Sequence, residues 1–156
     1  MNVAYRYGEA SALGAEGHLA LVTCDAKAPG RPFFRGRVLA PEAFSSLLGH
    51  MARVAAARFF VPMNASTRAI LLDPLVTHAD LLRFEAFSGC CSAYARLDVL
   101  PAALDGEILG HGTTNVDLNA PTQAALARIR SDASLTVEVG RDHLALETAG
   151  ARLHER

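Results

Sequence analysis

The sequence predicts an α+β domain in which two helices pack against an antiparallel sheet. Several short segments alternate apolar and polar residues between turn residues, which is typical of half-buried strands. Two other segments follow an Ala-Pro pair and repeat apolar residues every three or four positions, which is typical of amphipathic helices. The chain has 156 residues, of which 51% are apolar, enough for one buried core. We therefore expect a single α+β domain over residues 1–156.

The first part of the chain predicts two extended segments and a long helix. Residues 18–24 and 33–39 are typical of strands, and the stretch between them is rich in turn residues. Pro41 predicts the start of a helix over residues 41–60, because its fixed φ and missing N–H are tolerated in a first turn. The expected apolar stripe of this helix consists of Phe44, Leu47, Leu48, Met51, Val54 and Ala55.

After the helix, the sequence predicts strands over residues 70–77 and 81–88, with Asp73-Pro74 weakening the first of them. The run SGCCSAYARLDVL then predicts a hairpin whose loop is Gly89-Cys90. In the register that this loop sets, Phe84 faces Ala95. This register would turn Cys91 into the core and leave Cys90 at the turn, because side chains alternate between the two faces of a strand.

The second part of the chain predicts a shorter version of the same pattern. Asn119 is a suitable N-cap for a helix over residues 120–130. The other predicted elements are a connection over 101–110, a strand over 111–118 and a hairpin formed by 135–139 and 143–148. The chain therefore contains a β-α-β-β-β unit followed by an apparently incomplete copy.

Two architectures fit this order of elements. Two β-α-β-β-β units side by side resemble the plan of a DNA sliding-clamp domain, which implies helices that turn their polar faces towards DNA. The alternative is a helix-packed antiparallel α+β domain of another topology. The final GARLHER, where a further strand is due, predicts a truncated unit or strand completion by another copy.

Positive charge is concentrated in one part of the chain. The formal net charge is −1, yet residues 27–68 contain seven cations against the single acid Glu42. Arginine can bind phosphate with two parallel hydrogen bonds and without recognising sequence. The alternative is a solvated face that meets acids from elsewhere in the fold. The candidate nucleic-acid-binding residues are Arg35, Arg37, His50, Arg53 and Arg58.

The cysteines do not predict a metal site, and no cofactor is expected. Adjacent residues of a strand point to opposite faces, so Cys90 and Cys91 are poorly placed to chelate one ion. Cys91, His111 and Asp117 are the residue types of a cysteine-dependent enzyme, but their spacing matches no family signature. The odd number of cysteines, the absence of a signal-peptide pattern and the absence of a long apolar run predict a cytoplasmic protein with no membrane partner.

Several runs resemble the region that precedes the zinc finger in bacterial SWIM zinc-finger proteins. These runs are FFRG at 33–36, LRFEAFSGCC at 82–91, YARLD at 94–98, LDG at 104–106 and GTTNVD at 112–117. The resemblance implies a role in DNA or protein binding. The finger itself, a Cys-x-Cys pair followed by Cys-x-His, is absent from the sequence, so no zinc ligand is implied. The chain is then either a fragment whose finger lies beyond Arg156 or a shorter relative that works without one.

The sequence thus predicts a non-catalytic module that binds DNA through its basic helix and strand residues. A first alternative is a protein-interaction or scaffold domain that forms homo-oligomers, such as a homodimer, through an unfinished sheet edge. A second alternative is the cysteine-dependent enzyme.

Overall fold

The computed structural model describes residues 12–13, 19–20, 32–57, 75–78, 81–116 and 118–155. Two helices occur within these residues, α1 (Pro41–Ala56) and α2 (Ala120–Leu126). The strands are β1 (Ala12–Leu13), β2 (Leu19–Ala20), β3 (Phe34–Val38), β4 (Leu75–His78), β5 (Leu82–Phe87), β6 (Tyr94–Val99), β7 (Leu104–Ile108), β8 (Gly112–Asn115), β9 (Leu135–Val139), β10 (Leu144–Thr148) and β11 (Ala151–Glu155). The predicted α+β class, with antiparallel sheets and two helices, is confirmed.

The two large sheets exchange their first strands. One sheet has the order β11-β10-β9-β3-β7 and the other has the order β6-β5-β4-β8. The strand that precedes α1 therefore pairs with the hairpins that follow α2, and the strand that precedes α2 pairs with those that follow α1. All of these pairs are antiparallel. The exchange joins the two β-α-β-β-β units around one hydrophobic core.

The expectation that the second unit is incomplete is wrong. The segment expected to stop short of a strand forms β11, which pairs with β10 from Leu144↔Glu155 to Thr148↔Ala151. Its sequence, ARLHE, shows little alternation because the side chains on both faces of this edge strand are mostly exposed. Both units consequently contain three strands after their helix.

A further strand, β7, lies in the segment 101–110 that was predicted to be only a connection. After a 3₁₀ turn at Pro101–Ala103, β7 runs antiparallel to β3 along the edge of the five-stranded sheet. Gly36 and Gly106 are direct partners in this pair. A Cβ atom added to Gly36 would lie 2.6 Å from the Gly106 Cα atom. The close approach of the two backbones therefore requires glycine on both strands.

Helix α1 packs against β5, β6 and α2. Of the predicted stripe, Phe44, Leu48 and Met51 are buried, and the Phe44 ring meets the Phe84 ring edge-on at 5.6 Å. Leu47 was expected in this stripe but is 48% exposed. The buried face instead includes Ser45, because α2 covers that side of α1. None of the helices in the described residues is long and apolar enough to span a membrane.

The β5–β6 hairpin has a longer loop than predicted. Phe84 pairs with Leu97, two residues beyond the expected Ala95. The Ser88 N–H donates to the Ala93 carbonyl at 2.8 Å, which closes the loop of residues 89–92. Cys91 lies in this loop with a φ of 56° and is exposed, so the prediction that it is a core residue is wrong.

Charge pairing explains the observed register. A two-residue shift keeps every side chain on its predicted face, because the pleat repeats every two residues. It replaces the expected Arg83–Arg96 facing pair with Arg83 opposite Asp98 and Glu85 opposite Arg96. Arg83 Nε donates to Asp98 Oδ1 at 2.7 Å, and Arg96 Nη2 donates to Asp98 Oδ2 at 2.6 Å. Opposite charges now face each other across the strands.

Hydrogen bonds between and along β5 and β6 shift the pKa values of Asp98 and Tyr94. The hydrogen bond from Arg83, helped by the one from Arg96, holds the pKa of Asp98 below its ordinary value. The hydrogen bond from the Tyr94 hydroxyl to Glu85 raises the pKa of Tyr94. The lowered pKa means that ionised Asp98 stabilises the folded state.

We expect Asp98→Asn to destabilise the protein at neutral pH but not in acid. Because the folded-state pKa lies below the unfolded value of about 3.9, the contribution of Asp98 is present above that pH and is lost as pH falls through the folded-state pKa. Urea unfolding midpoints of wild type and variant, measured from neutral pH downwards, should converge in acid. The exposed turn residue Asp132 supplies the control Asp132→Asn. Its urea midpoint should stay close to that of wild type throughout the pH series. If the midpoint of Asp98→Asn differed from that of wild type by the same amount at every pH, ionised Asp98 would not be the source of the stability.

Candidate nucleic-acid interface

The outward face of α1 presents polar residues to solvent. His50 and Arg53, which the sequence placed three residues apart on one face, are both exposed. The His50 ring Nδ1 lies 2.6 Å from the Ser46 carbonyl oxygen, one turn earlier in the helix. This contact holds the imidazole against the helix and leaves the Arg53 guanidinium extending from the last turn.

Helix α2 is held in place at its first turn. The Asn119 side chain caps the helix by accepting from the Thr122 N–H at 3.0 Å, as the sequence predicted. The Glu155 carboxylate is buried and accepts hydrogen bonds from Asn119 Nδ2, at 2.8 Å, and from the Thr122 hydroxyl. The end of β11 thereby fixes the start of α2, and this fixes where the residues at the far end of α2 lie.

A polar groove of about 320 Å³ separates the two helices. Glu42, Ser46, Gly49 and Arg53 line it from α1, while Gln123, Leu126, Ala127, Ile129 and Arg130 line it from α2 and the turn that follows. Arg130 Nη1 lies 3.8 Å from Glu42 Oε1, so one ion pair joins the segment after α2 to α1. With side chains 72% and 49% exposed, this pair contributes little to stability.

We call the exposed surface formed by His50, Arg53 and Arg130 the helix face. Among the described residues, no carboxylate forms an ion pair with Arg53, whereas Arg130 has the long contact to Glu42. Arg128 is also exposed but lines a different cleft, beside the turn between β10 and β11. The helix face therefore carries two arginines whose guanidinium groups are largely available to a ligand.

The sequence did not identify Arg130. It lies far beyond the basic segment, and only the tertiary approach of α2 to α1 brings it to the same surface as Arg53. The ARIR run at the end of the second predicted helix was the available signal. Its significance depends on the packing of the two helices, which the sequence alone did not define.

The structure places Arg35 and Arg37 on a different surface. Both extend from the outward face of β3, as predicted, but each meets a carboxylate of a neighbouring strand. Arg35 Nε lies 3.6 Å from Glu138 Oε2, and Arg37 Nη2 lies 3.2 Å from Asp105 Oδ2. Their charges are thus largely matched within the sheet, and they do not join His50 and Arg53. Arg58, the fifth candidate, lies outside the described residues.

Glu138 is the centre of the charged cluster on this sheet face. Besides Arg35, its carboxylate has Arg152 Nη2 at 3.7 Å and His143 Nε2 at 3.1 Å. The His143 ring also stacks on the His154 ring at 5.0 Å. In the residues that the structure describes, no group of three or more His, Cys, Asp or Glu side chains is arranged to hold a metal ion.

Cys91 and His111 lie at opposite ends of the four-stranded sheet. His111 directly precedes Gly112, which is level with His78 and Leu82 across the sheet. Cys91 follows the other end of β5, and the five steps from Leu82 to Phe87, at about 3.3 Å each, separate the two ends. The arrangement does not bring this thiol and imidazole together, and Asp117 lies outside the described residues.

The comparisons with known proteins show a structural similarity but no sequence family. No protein-family model matches the chain, and no curated protein matches it significantly. Among solved structures, the chain is similar to a DnaN sliding clamp (DNA polymerase III subunit beta) from Bartonella birtlesii bound to griselimycin, with a TM-score of 0.49 and 14% sequence identity. The match covers 78% of this chain and 29% of that clamp chain, so this chain spans less than a third of the clamp's length.

Proposed function

We propose that this chain is a non-catalytic binding domain that uses the helix face to bind the backbone of duplex DNA. The observation that carries the proposal is the common surface of Arg53 and Arg130, where Arg53 forms no ion pair with a described carboxylate and Arg130 forms only the long, exposed contact to Glu42. The arginines on the outward face of the sheet, by contrast, are matched by acids. Binding is therefore assigned to the helices and not to β3.

The chemistry of the helix face favours phosphate contacts over base recognition. A guanidinium group binds phosphate oxygens with two charge-assisted hydrogen bonds, and such contacts carry no sequence information. The exposed side chains of α1 and α2 include no aromatic residue on which unpaired bases could stack. Because stacking provides much of the affinity for single strands, duplex DNA is the expected partner, bound without sequence preference.

A salt titration with a short fluorescent duplex tests the proposal. Two arginine–phosphate contacts predict a plot of log affinity against log salt with a slope of about −2, because each neutralised phosphate releases nearly one counterion. Fluorescence anisotropy between about 50 and 200 mM salt measures this slope. Two unrelated duplex sequences should give the same curve. Absence of binding at the lower salt concentration, or a slope near zero, would contradict the proposal.

A protein-interaction role is a second candidate, favoured by an apolar groove beside the edge strand β6. The groove measures about 400 Å³ and is lined by Phe44, Leu47, Leu97, Val99 and neighbouring small residues. Leu47 is 48% exposed, and Leu100 at the end of the groove is 58% exposed. Self-association through a sheet edge stays a prediction, although the edge that was expected to be unfinished is completed by β11. The relation to SWIM zinc-finger proteins and the absence of catalysis also stay predictions.

A further inference from the structure

The interhelical groove contains a buried hydroxyl group without a hydrogen-bond partner. Ser45 is 1% exposed, and its Oγ makes no hydrogen bond in the described structure. Leaving a buried polar group unpaired costs about 1–3 kcal/mol relative to pairing it. Since Ser45 lines the groove, a bound group could supply the missing partner.

Gly49 keeps the groove open one turn further along α1. A Cβ atom added at this position would meet nothing within 4 Å, so the space above the helix backbone is empty. Glycine in the interior of a helix costs roughly 0.5–1 kcal/mol relative to alanine. Packing does not require this glycine, and its absent side chain leaves access to the groove.

The charged groups that line the groove favour an anion. Arg53 and Arg130 carry two positive charges against the one negative charge of Glu42. The Glu42–Arg130 contact is long, at 3.8 Å, and largely exposed, so an anionic group can replace the carboxylate as the partner of Arg130. Ser45 lines the same groove, and its hydroxyl adds a neutral donor to the two guanidinium groups.

We infer that the interhelical groove is a phosphate-binding site in which Arg53 and Arg130 hold the phosphate and the Ser45 hydroxyl donates to one of its oxygens. The inference deepens the proposed function, on which it rests for the choice of phosphate as the anion. The phosphate comes either from the DNA backbone or from a free phosphate ion. The two sources share this chemistry and are separated by the arms of the experiment.

Two substitutions test the site without changing its charge. Ser45→Ala removes the donor, and the folded protein should be at least as stable as wild type because an unpaired buried hydroxyl is lost. Gly49→Leu fills the open space, and Ala124→Leu is its matched control because it adds a leucine side chain at an exposed position of α2 that does not line the groove. We expect Ser45→Ala and Gly49→Leu each to weaken phosphate binding about tenfold, while Ala124→Leu stays within about twofold of wild type.

Each protein is titrated with the short duplex by anisotropy and with inorganic phosphate by ¹H–¹⁵N NMR, after thermal unfolding has shown that the variants are folded. Weaker duplex binding by Ser45→Ala and Gly49→Leu supports the site with DNA as the phosphate source. If wild type does not bind the duplex but inorganic phosphate shifts the Ser45 and Gly49 amide signals, the site is supported with free phosphate as the source, and the proposed function fails. Duplex binding that neither substitution weakens overturns the groove site and leaves the proposed function standing. A wild type that responds to neither probe overturns both.

Discussion

Gly36→Ala is expected to destabilise the protein by about 3 kcal/mol, at the upper end of the usual cost of overpacking. The new Cβ atom would lie 2.6 Å from the Gly106 Cα atom and 2.8 Å from the Asp105 carbonyl oxygen. Both are backbone atoms of β7, so no side-chain rotation can relieve the contact. The strands β3 and β7 would have to separate, which breaks their hydrogen bonds along the edge of the five-stranded sheet.

Urea unfolding measures this effect, and Gly49→Ala is the matched control. The same chemical change at position 49 places the methyl group in open space within α1. We expect this variant to be more stable than wild type by roughly 0.5–1 kcal/mol, because alanine favours helix. If Gly36→Ala has the same urea unfolding midpoint as wild type, the conclusion that β3 and β7 approach closely at this position is wrong.

Elements whose signals are local were predicted well from the sequence. The hairpin of β9 and β10 has the predicted strands because its apolar and polar residues alternate on both sides of a short loop. The cap of α2 was predictable because Asn119 and Thr122 lie within one turn. In both cases the determining interactions join residues that are close in the chain.

The register of the β5–β6 hairpin could not be predicted from the apolar pattern alone. Loops of two and four residues place the same side chains on the same face, so burial does not distinguish them. The pairing of Arg83 with Asp98 does distinguish them. Comparing the charge pairs of both registers would have placed Cys91 in the loop.

The strand β7 and part of the helix face depend on contacts between distant segments. The sequence of β7, LDGEI, is almost wholly exposed and has glycine at its centre, so it lacks the alternation of a half-buried strand. Arg53 was identified from its place on a polar helix face, but Arg130 joins it only through the packing of α2 against α1. In the same way, the pairing of Arg35 with Glu138 depends on β3 lying beside β9.

The double charge reversal Arg53→Glu and Arg130→Glu is expected to weaken duplex DNA binding by about 100-fold at low salt. Each arginine that forms charge-assisted hydrogen bonds with phosphate contributes about 1.5–3 kcal/mol, and a tenfold change in affinity corresponds to 1.4 kcal/mol. The introduced glutamates also repel the backbone. Folding should be unaffected, since both side chains are exposed and the long Arg130–Glu42 contact contributes little to stability.

The matched control is the double reversal Arg35→Glu and Arg37→Glu on the outward face of β3. It changes the net charge by the same amount but replaces arginines that already face Glu138 and Asp105. Circular dichroism should first show that both double variants are folded. A loss of duplex affinity that is confined to the control would assign the interface to the sheet.

The most direct test of the account is a comparison of duplex affinity for wild type and the two double variants at one low salt concentration. Binding through the helix face predicts a loss of about 100-fold for Arg53→Glu with Arg130→Glu, and a loss within about threefold for Arg35→Glu with Arg37→Glu. Equal losses for the two variants would contradict the account, because binding would then follow net charge and not the surface that α1 and α2 form.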